Sequence, residues 1–235
     1  NAKEMSKEKY FNFPIQLLSG FIKNSDKAIS NIKDYAIYEN ALKLDHGNEL
    51  QKIKDSASFF NIKLGNIERT FENGKELYES IPTKSPKVGV NLSIWWDFYR
   101  NDKTEFEKVC LLGFLGIKSI LGTKAFCKME NKNWLSRMDG QIKSVDNLLL
   151  LSEEVRKYAN EYQTKKIKTA LRNDWGLITY SRHTRGFYVS FNISLKQLVL
   201  EAEKRRISTK EKQYKEQEKA IINEVLNQLK TAKPN

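Results

Sequence analysis

The sequence predicts a mainly α-helical chain with a small β-hairpin. The expected order is a helical N-terminal domain (residues 1–85), a second domain ending in the hairpin (86–193) and a basic C-terminal helical extension (194–235). Three observations carry that expectation. Apolar residues recur at three- and four-residue spacing over most of the chain, the period of a helix with one buried face. Strict alternation occurs near position 190, where Phe187, Val189, Phe191 and Ile193 alternate with Tyr188, Ser190 and Asn192. The stretch Pro82-Thr83-Lys84-Ser85-Pro86-Lys87 has the composition of a linker between two helical runs. With 235 residues, 40% of them hydrophobic, the chain is long enough to bury cores for two domains.

Taken in order, Pro14 suits a first helical position, and Leu17, Leu18, Phe21 and Ile22 share a face behind it. Ser25 caps a second helix carrying Ala28, Ile29, Ile32, Tyr35, Ala36, Tyr38 and Leu42. Gly47 separates it from a third, with Leu50, Ile53, Ala57, Phe59 and Phe60. A fourth, with Ile67, Phe71, Leu77 and Tyr78, is interrupted at Asn73-Gly74. Beyond the linker, Thr104-Glu105-Phe106-Glu107 is a capping box: hydroxyl and carboxylate each satisfy a backbone N–H that the first helical turn leaves free. The helix it opens, ending at Gly122, is apolar almost all round and therefore central, and Gly113 and Gly116 on one face let another helix approach closely. Residues 131–138 form a short helix presenting Trp134, Leu135 and Met138. Ser152, Glu153 and Glu154 open another through Val155, Tyr158 and Ala159, with Tyr162 packed in the turn after it. Thr164 caps a helix over 165–174, stopped at Trp175-Gly176. Residues 177–180 and 187–193 are then the two hairpin strands.

Charge narrows the function. Lys plus Arg exceed Asp plus Glu by 41 to 29, a formal +12 with a pI near 9.5, so the expected partner is polyanionic. Residues 161–210 hold eleven Lys or Arg against Glu161, Asp174, Glu201 and Glu203, a net +7. This is the concentrated footprint of a nucleic-acid face. In the helix over 165–174, Ile167, Ala170 and Leu171 face inward, leaving Lys165, Lys166, Lys168, Thr169, Arg172 and Asn173 outward. The hairpin turn adds Arg182, His183 and Arg185. A merely solvated helix face is the plain alternative for the lysines, and the adjoining arginine-tipped hairpin is what favours a binding role.

Helix, short turn, basic helix, Gly-Leu-Ile and a hairpin with arginines at its tip: over residues 104–193 this order resembles the winged helix-turn-helix family of DNA-binding proteins. The resemblance implies that 165–174 is a recognition helix for the major groove and that 182–186 is a wing tip reaching backbone or minor groove. Residues 139–151 depart from it as a long link, which leaves either 131–138 or 153–160 as the supporting helix. With a helical N-terminal domain and a basic C-terminal extension, the chain is similar to phage or plasmid replication initiators and primosomal proteins. Double-stranded DNA binding in replication initiation or transcription control is the expectation. A winged scaffold that docks an acidic protein partner without DNA is the alternative.

Other classes fit poorly. There is no Ser-His-Asp order with a glycine elbow, no H-E-x-x-H and no G-x-G-x-x-G, so no enzyme and no cofactor is expected. Asp97, Asp102, Glu105 and Glu107 are close enough in sequence to consider for Mg, but caps and surface charge explain them more simply, and no metal is expected. Cys110 and Cys127 lack paired spacing and read as buried thiols. Trp175, at a helix-to-strand corner, reads as core packing. The most apolar run, 109–121, is interrupted by Lys118 and too short to span a bilayer. Charges at Lys3 and Glu4 stand where a secretory signal has an apolar run, so a soluble, cytoplasmic protein is expected. Ser194 and Gln197 fit a capping box for the C-terminal helix. Its stripe of Tyr214, Ile221, Ile222, Val225 and Leu229 serves either a homodimer or packing onto the chain's own N-terminal domain.

Overall fold

Phe13 precedes a proline, and the ring of Pro14 drives the residue before it into extended backbone. In the computed structural model, which describes residues 8–181 and 186–231, that segment is strand β1 (Tyr10–Pro14), with Phe11 and Phe13 fully buried and Tyr10 outward. The helix expected to start at Pro14 is therefore only the 3-10 turn Ile15–Leu18, and Gly20 at φ +69° ends the run.

Three helices follow: α1 (Ser25–Ala41), α2 (Glu49–Phe59) and α3 (Ile67–Ser80). Each is capped by an asparagine, Asn24, Asn48 and Asn66, whose side-chain oxygen accepts from a backbone N–H of the first turn. The cap of α1 is thus Asn24 rather than Ser25, which is buried. Nor is α3 interrupted at Asn73-Gly74. A Cβ on Gly74 would lie 2.7 Å from the Asp34 carbonyl oxygen, so the glycine lets α1 and α3 touch backbone to side chain.

The proline-bounded stretch does not lead away from this layer. Strand β2 (Lys87–Asn91) turns back and pairs antiparallel with β1, Phe11 opposite Val90 and Phe13 opposite Val88. Helix α4 (Leu92–Arg100) follows, its Trp95 Nε1 donating to the Ile29 carbonyl at 3.2 Å. The division anticipated at 85/86 is thus bridged by a sheet and by α4.

The capping box forms as the sequence predicts: Thr104 N donates to Glu107 Oε2 at 2.9 Å and Glu107 N to Thr104 Oγ1 at 3.2 Å. Helix α5 (Glu105–Leu121) touches β2 on one side and the later elements on the other, so a single buried cluster runs from Phe11 to Val189. After it come strand β3 (Cys127–Met129), which the sequence did not reveal, and α6 (Asn131–Met138). Next are a 3-10 turn (Leu148–Leu150), the one-turn α7 (Glu153–Arg156), shorter than expected, and α8 (Glu161–Asp174). Strands β4 (Ile178–Tyr180) and β5 (Phe187–Ser190) complete a three-stranded antiparallel sheet in the order β3-β5-β4.

Helix α9 (Leu195–Thr231) is 37 residues long. Ser194 Oγ accepts from Gln197 N at 3.2 Å, and Leu198 and Ala202 seat the first turns on the outer side of β4 and β5. From Lys204 to Asn227 every residue is exposed, so α9 does not fold back onto the N-terminal helices. The chain is mainly helical, with two small antiparallel sheets. Among the described residues no helix is long and apolar enough to cross a membrane.

Candidate nucleic-acid interface

Helix α8 is seated along its inner side by Ile167 and Leu171, both fully buried. They reach α5 where Gly113 leaves room: a Cβ there would lie 3.1 Å from Ile167 and 3.2 Å from Trp134. Gly116, one turn on, admits Met138 and Trp134 in the same way. The close approach expected from the two glycines is therefore made by α6 and α8 together. Fully buried Trp134 locks the junction by donating from Nε1 to the Gly113 carbonyl at 2.9 Å.

The long link after α6 is closed on itself. Buried Asp139 accepts from the Ser152 backbone N–H at 2.9 Å and from its hydroxyl, and Val145 N donates to Ser136 Oγ at 3.0 Å. The chain thus returns to where it left, and the insertion displaces neither α6 nor α8. Of the two candidates for a supporting helix, α6 touches α8 directly, through Asn131 and Trp134. Segment 153–160 holds only the turn of α7, whose neighbour Tyr158 donates to Glu105 at 2.8 Å.

Asn160 caps α8, accepting from Gln163 N at 2.9 Å, so the helix starts a turn before the expected Thr164 cap. Thr164 instead lies buried within the helix, donating back to the Glu161 carbonyl. The earlier start places Tyr162 on the helix surface at 72% exposure, not packed in a preceding turn.

Lys165, Lys166, Arg172 and Asn173 are exposed and Thr169 half-buried on the outer stripe. Lys166 Nζ sits 4.5 Å from the Phe106 ring centroid, and Arg172 Nη2 donates to Thr169 Oγ1 at 3.0 Å. Lys168 departs from the expected outward position. It follows buried Ile167 at the edge of the inner stripe, and its Nζ donates to Asn131 Oδ1 at 2.7 Å while lying 3.8 Å from the Phe187 ring and 5.5 Å from Trp134. Burial, reinforced by the charge of Arg172, pulls this ammonium down to about 8. Lys168 thus fastens α8 to α6 and the hairpin. Arg182, His183 and Arg185 lie outside the described residues.

Sequence reasoning missed Lys128, because β3 is too short to show a period, and the basic residues at the root of α9, Arg205, Arg206 and Lys210. Their signal was the charge excess of 161–210, assigned to the helix and hairpin alone. Trp175 packs at 4.8 Å on Phe114, as core. Both thiols are buried and raised by that burial, Cys110 to about 11. Asp97 and Glu107 share Lys103, whose Nζ is 2.6 Å from Asp97 and 3.8 Å from Glu107, and the hydrogen bond from Lys103 holds the Asp97 carboxyl below the usual range. Among the described residues no group of three or more His, Cys, Asp or Glu is placed to hold a metal ion. No protein-family model, no curated protein and no solved structure matches this chain.

Proposed function

We propose that the chain is a non-enzymatic double-stranded DNA-binding protein whose segment 104–193 works as a winged helix-turn-helix. In this reading α6 is the supporting helix, α8 the recognition helix in the major groove and β4–β5 the wing, with β3 bracing the hairpin. The observation that carries it is the outer stripe of α8. Lys165, Lys166, Thr169, Arg172 and Asn173 stand on one exposed surface of a helix whose other side is clamped by α5 and α6, beside a hairpin. A rigid helix of α-helical width bearing Arg, Lys and Asn fits the major groove and its base edges. The cationic excess supplies phosphate contacts. The role that suits such a protein is replication initiation or transcription control in a bacterium, phage or plasmid.

Self-association through α9 belongs to the same reading. Leu200, Ile207, Tyr214 and Ile221 repeat every seven residues and are 62%, 54%, 74% and 61% exposed, with Ile222, Val225 and Leu226 widening the stripe near its end. A seven-residue repeat is the period of a helix paired with a second helix, and one apolar position per heptad makes the pairing weak.

Fluorescence anisotropy against duplex DNA tests the main proposal. Four to six phosphate contacts give a log–log salt slope of about −4 to −5. Arg172→Ala lowers discrimination at one base pair by about 1–3 kcal/mol while leaving the slope within about one. Absence of binding to any duplex at low salt overturns the reading and leaves docking on an acidic protein as the better one.

A further inference from the structure

A sheet has two faces, and successive residues of β5 point to opposite ones. Phe187 turns inward to Trp134 and to the ammonium of Lys168 on α8. Tyr188, next along, turns outward, directly between Lys128 on β3 and Tyr180 on β4 in the strand register. A Lys–Tyr–Tyr row therefore crosses the outer face of the sheet at the turn end of the hairpin. Helix α9 runs over this face beside the row, and the two enclose a groove of about 230 Å³ reaching from Gly186 to the third through sixth turns of α9.

The groove is basic. Lys128, Arg205, Arg206 and Lys210 line it, with Glu203 as the acid among them. Glu203 accepts from the Tyr180 hydroxyl at 2.8 Å and from Arg206 Nε at 2.9 Å, which ties α9 to β4. Lys128, Arg205 and Lys210 form no ion pair among the described residues. Arg205 lies with its guanidinium 4.5 Å from the Phe126 ring, an arrangement that holds its stem and leaves its donors facing water. Like charges gathered without acidic partners repel each other, so the arrangement favours an anion that bridges them. The groove and helix α8 lie on opposite faces of β5: Phe187 meets Lys168 of α8, and Tyr188 lines the groove.

We infer that this groove is a second nucleic-acid contact, holding the phosphodiester backbone of the strand that passes beyond the hairpin. The inference rests on the duplex-binding reading and extends it: α8 reads base edges, while Lys128 and Lys210, with Arg205, neutralise phosphates on the far side of the hairpin. Backbone phosphates carry no sequence information, so the groove adds affinity and salt dependence without adding preference. On α9 the groove-lining Glu203 and Lys210 lie one turn either side of Ile207 of the apolar stripe, so the groove and the stripe share an edge of the helix.

The test is a double variant of the full chain, Lys128→Gln with Lys210→Gln. Both side chains are exposed, and glutamine keeps most of each stem. Salt titrations of duplex binding are compared with wild type and with Arg172→Ala, with circular dichroism melting as the folding control. The expected result is five- to tenfold weaker binding to every duplex at low salt, a slope shallower by about two, unchanged base preference and an unchanged melt. Wild-type affinity and slope in the double variant overturn the groove and leave the α8 reading intact. Loss of base preference in the double variant overturns it as well, because a backbone contact carries none. If wild-type protein binds no duplex, the functional reading fails first and the groove falls with it.

Discussion

Helices α8 and α9 are both basic and adjacent to the hairpin, yet the chain supports them in opposite ways. Along α8 the inner residues Ile167, Lys168 and Leu171 are held by other elements, and Thr164 is buried with them. Along α9 Leu198, Ala202 and Glu203 are so held, and the 24 residues from Lys204 to Asn227 are all exposed. A helix in a protein draws most of its stability from tertiary packing, which this part of α9 lacks, so its order depends on what its exposed surfaces meet. If the chain binds duplex DNA as proposed, the difference teaches which basic residues can read sequence. Base readout needs donors fixed to a fraction of an ångström, and α8 provides that through α5 and α6. Phosphate holding and association tolerate a looser frame, and α9 provides that.

The largest way to break this contrast is to remove the seat of α8. Trp134→Ala deletes a fully buried indole, its hydrogen bond to the Gly113 carbonyl and its edge contact with Phe187. A loss of about 3–5 kcal/mol in unfolding free energy is expected, read by denaturant titration. A loss below about 1 kcal/mol would mean that α8 is held from elsewhere. The counterpart on α9 is truncation after Gln213, which spares the groove residues and removes Tyr214, Ile221, Ile222, Val225 and Leu226. Unfolding free energy is expected to stay within about 0.5 kcal/mol, because those side chains are exposed. Sedimentation should change instead: the full chain gains mass with concentration, and the truncated chain stays monomeric. Identical monomer masses for both forms remove the proposed pairing.

How legible these regions were follows from the range of the interactions that make them. The capping box at Thr104, the span of α6 and the packing glycines of α5 were readable because each is fixed by residues within one or two turns. Strand β1 was not, because Phe11 and Phe13 give too short an alternation and Pro14 is equally suited to begin a helix. Pairing with Val88 and Val90, more than seventy residues away, decides it. Helix starts at Ser25 and Thr164 were misplaced by the same mechanism: in each case an upstream asparagine competes for the cap, and burial of the hydroxyl residue inside the helix settles the choice. At the candidate site, the exposed positions of α8 followed from the spacing of Ile167 and Leu171. The role of Lys168 did not, since Asn131 and Phe187 reach it only through tertiary packing. The groove was invisible for the same reason: Lys128 meets Tyr188 across two strands, one of them three residues long.

The smallest expected effect sharpens the contrast within α8 itself, between a lysine that faces solvent and one that is enclosed. Lys168 meets Asn131 and Trp134 from α6, Phe187 from β5 and the charge of Arg172 from its own helix. Its ammonium is lowered to about 8 in the folded protein from an ordinary 10.5. Between those values the unfolded chain holds a proton that the folded chain has given up, so raising the pH favours folding. Below about 8 the penalty of keeping the charge buried is constant, and above 10.5 it is gone. Other lysines and tyrosines titrate in the same window, so the useful quantity is the difference between wild type and Lys168→Met, whose thioether fills a similar volume. From pH 7 to pH 10 the wild-type melting temperature should rise relative to that of the variant by about 2–4 °C. Parallel curves would mean that Lys168 reaches water and that the hairpin is fastened by something else. Duplex binding supplies the second readout: since Lys168 is engaged inside, Lys168→Met should keep affinity within about twofold of wild type, whereas replacing an exposed phosphate-contacting lysine would make the salt slope shallower by about one.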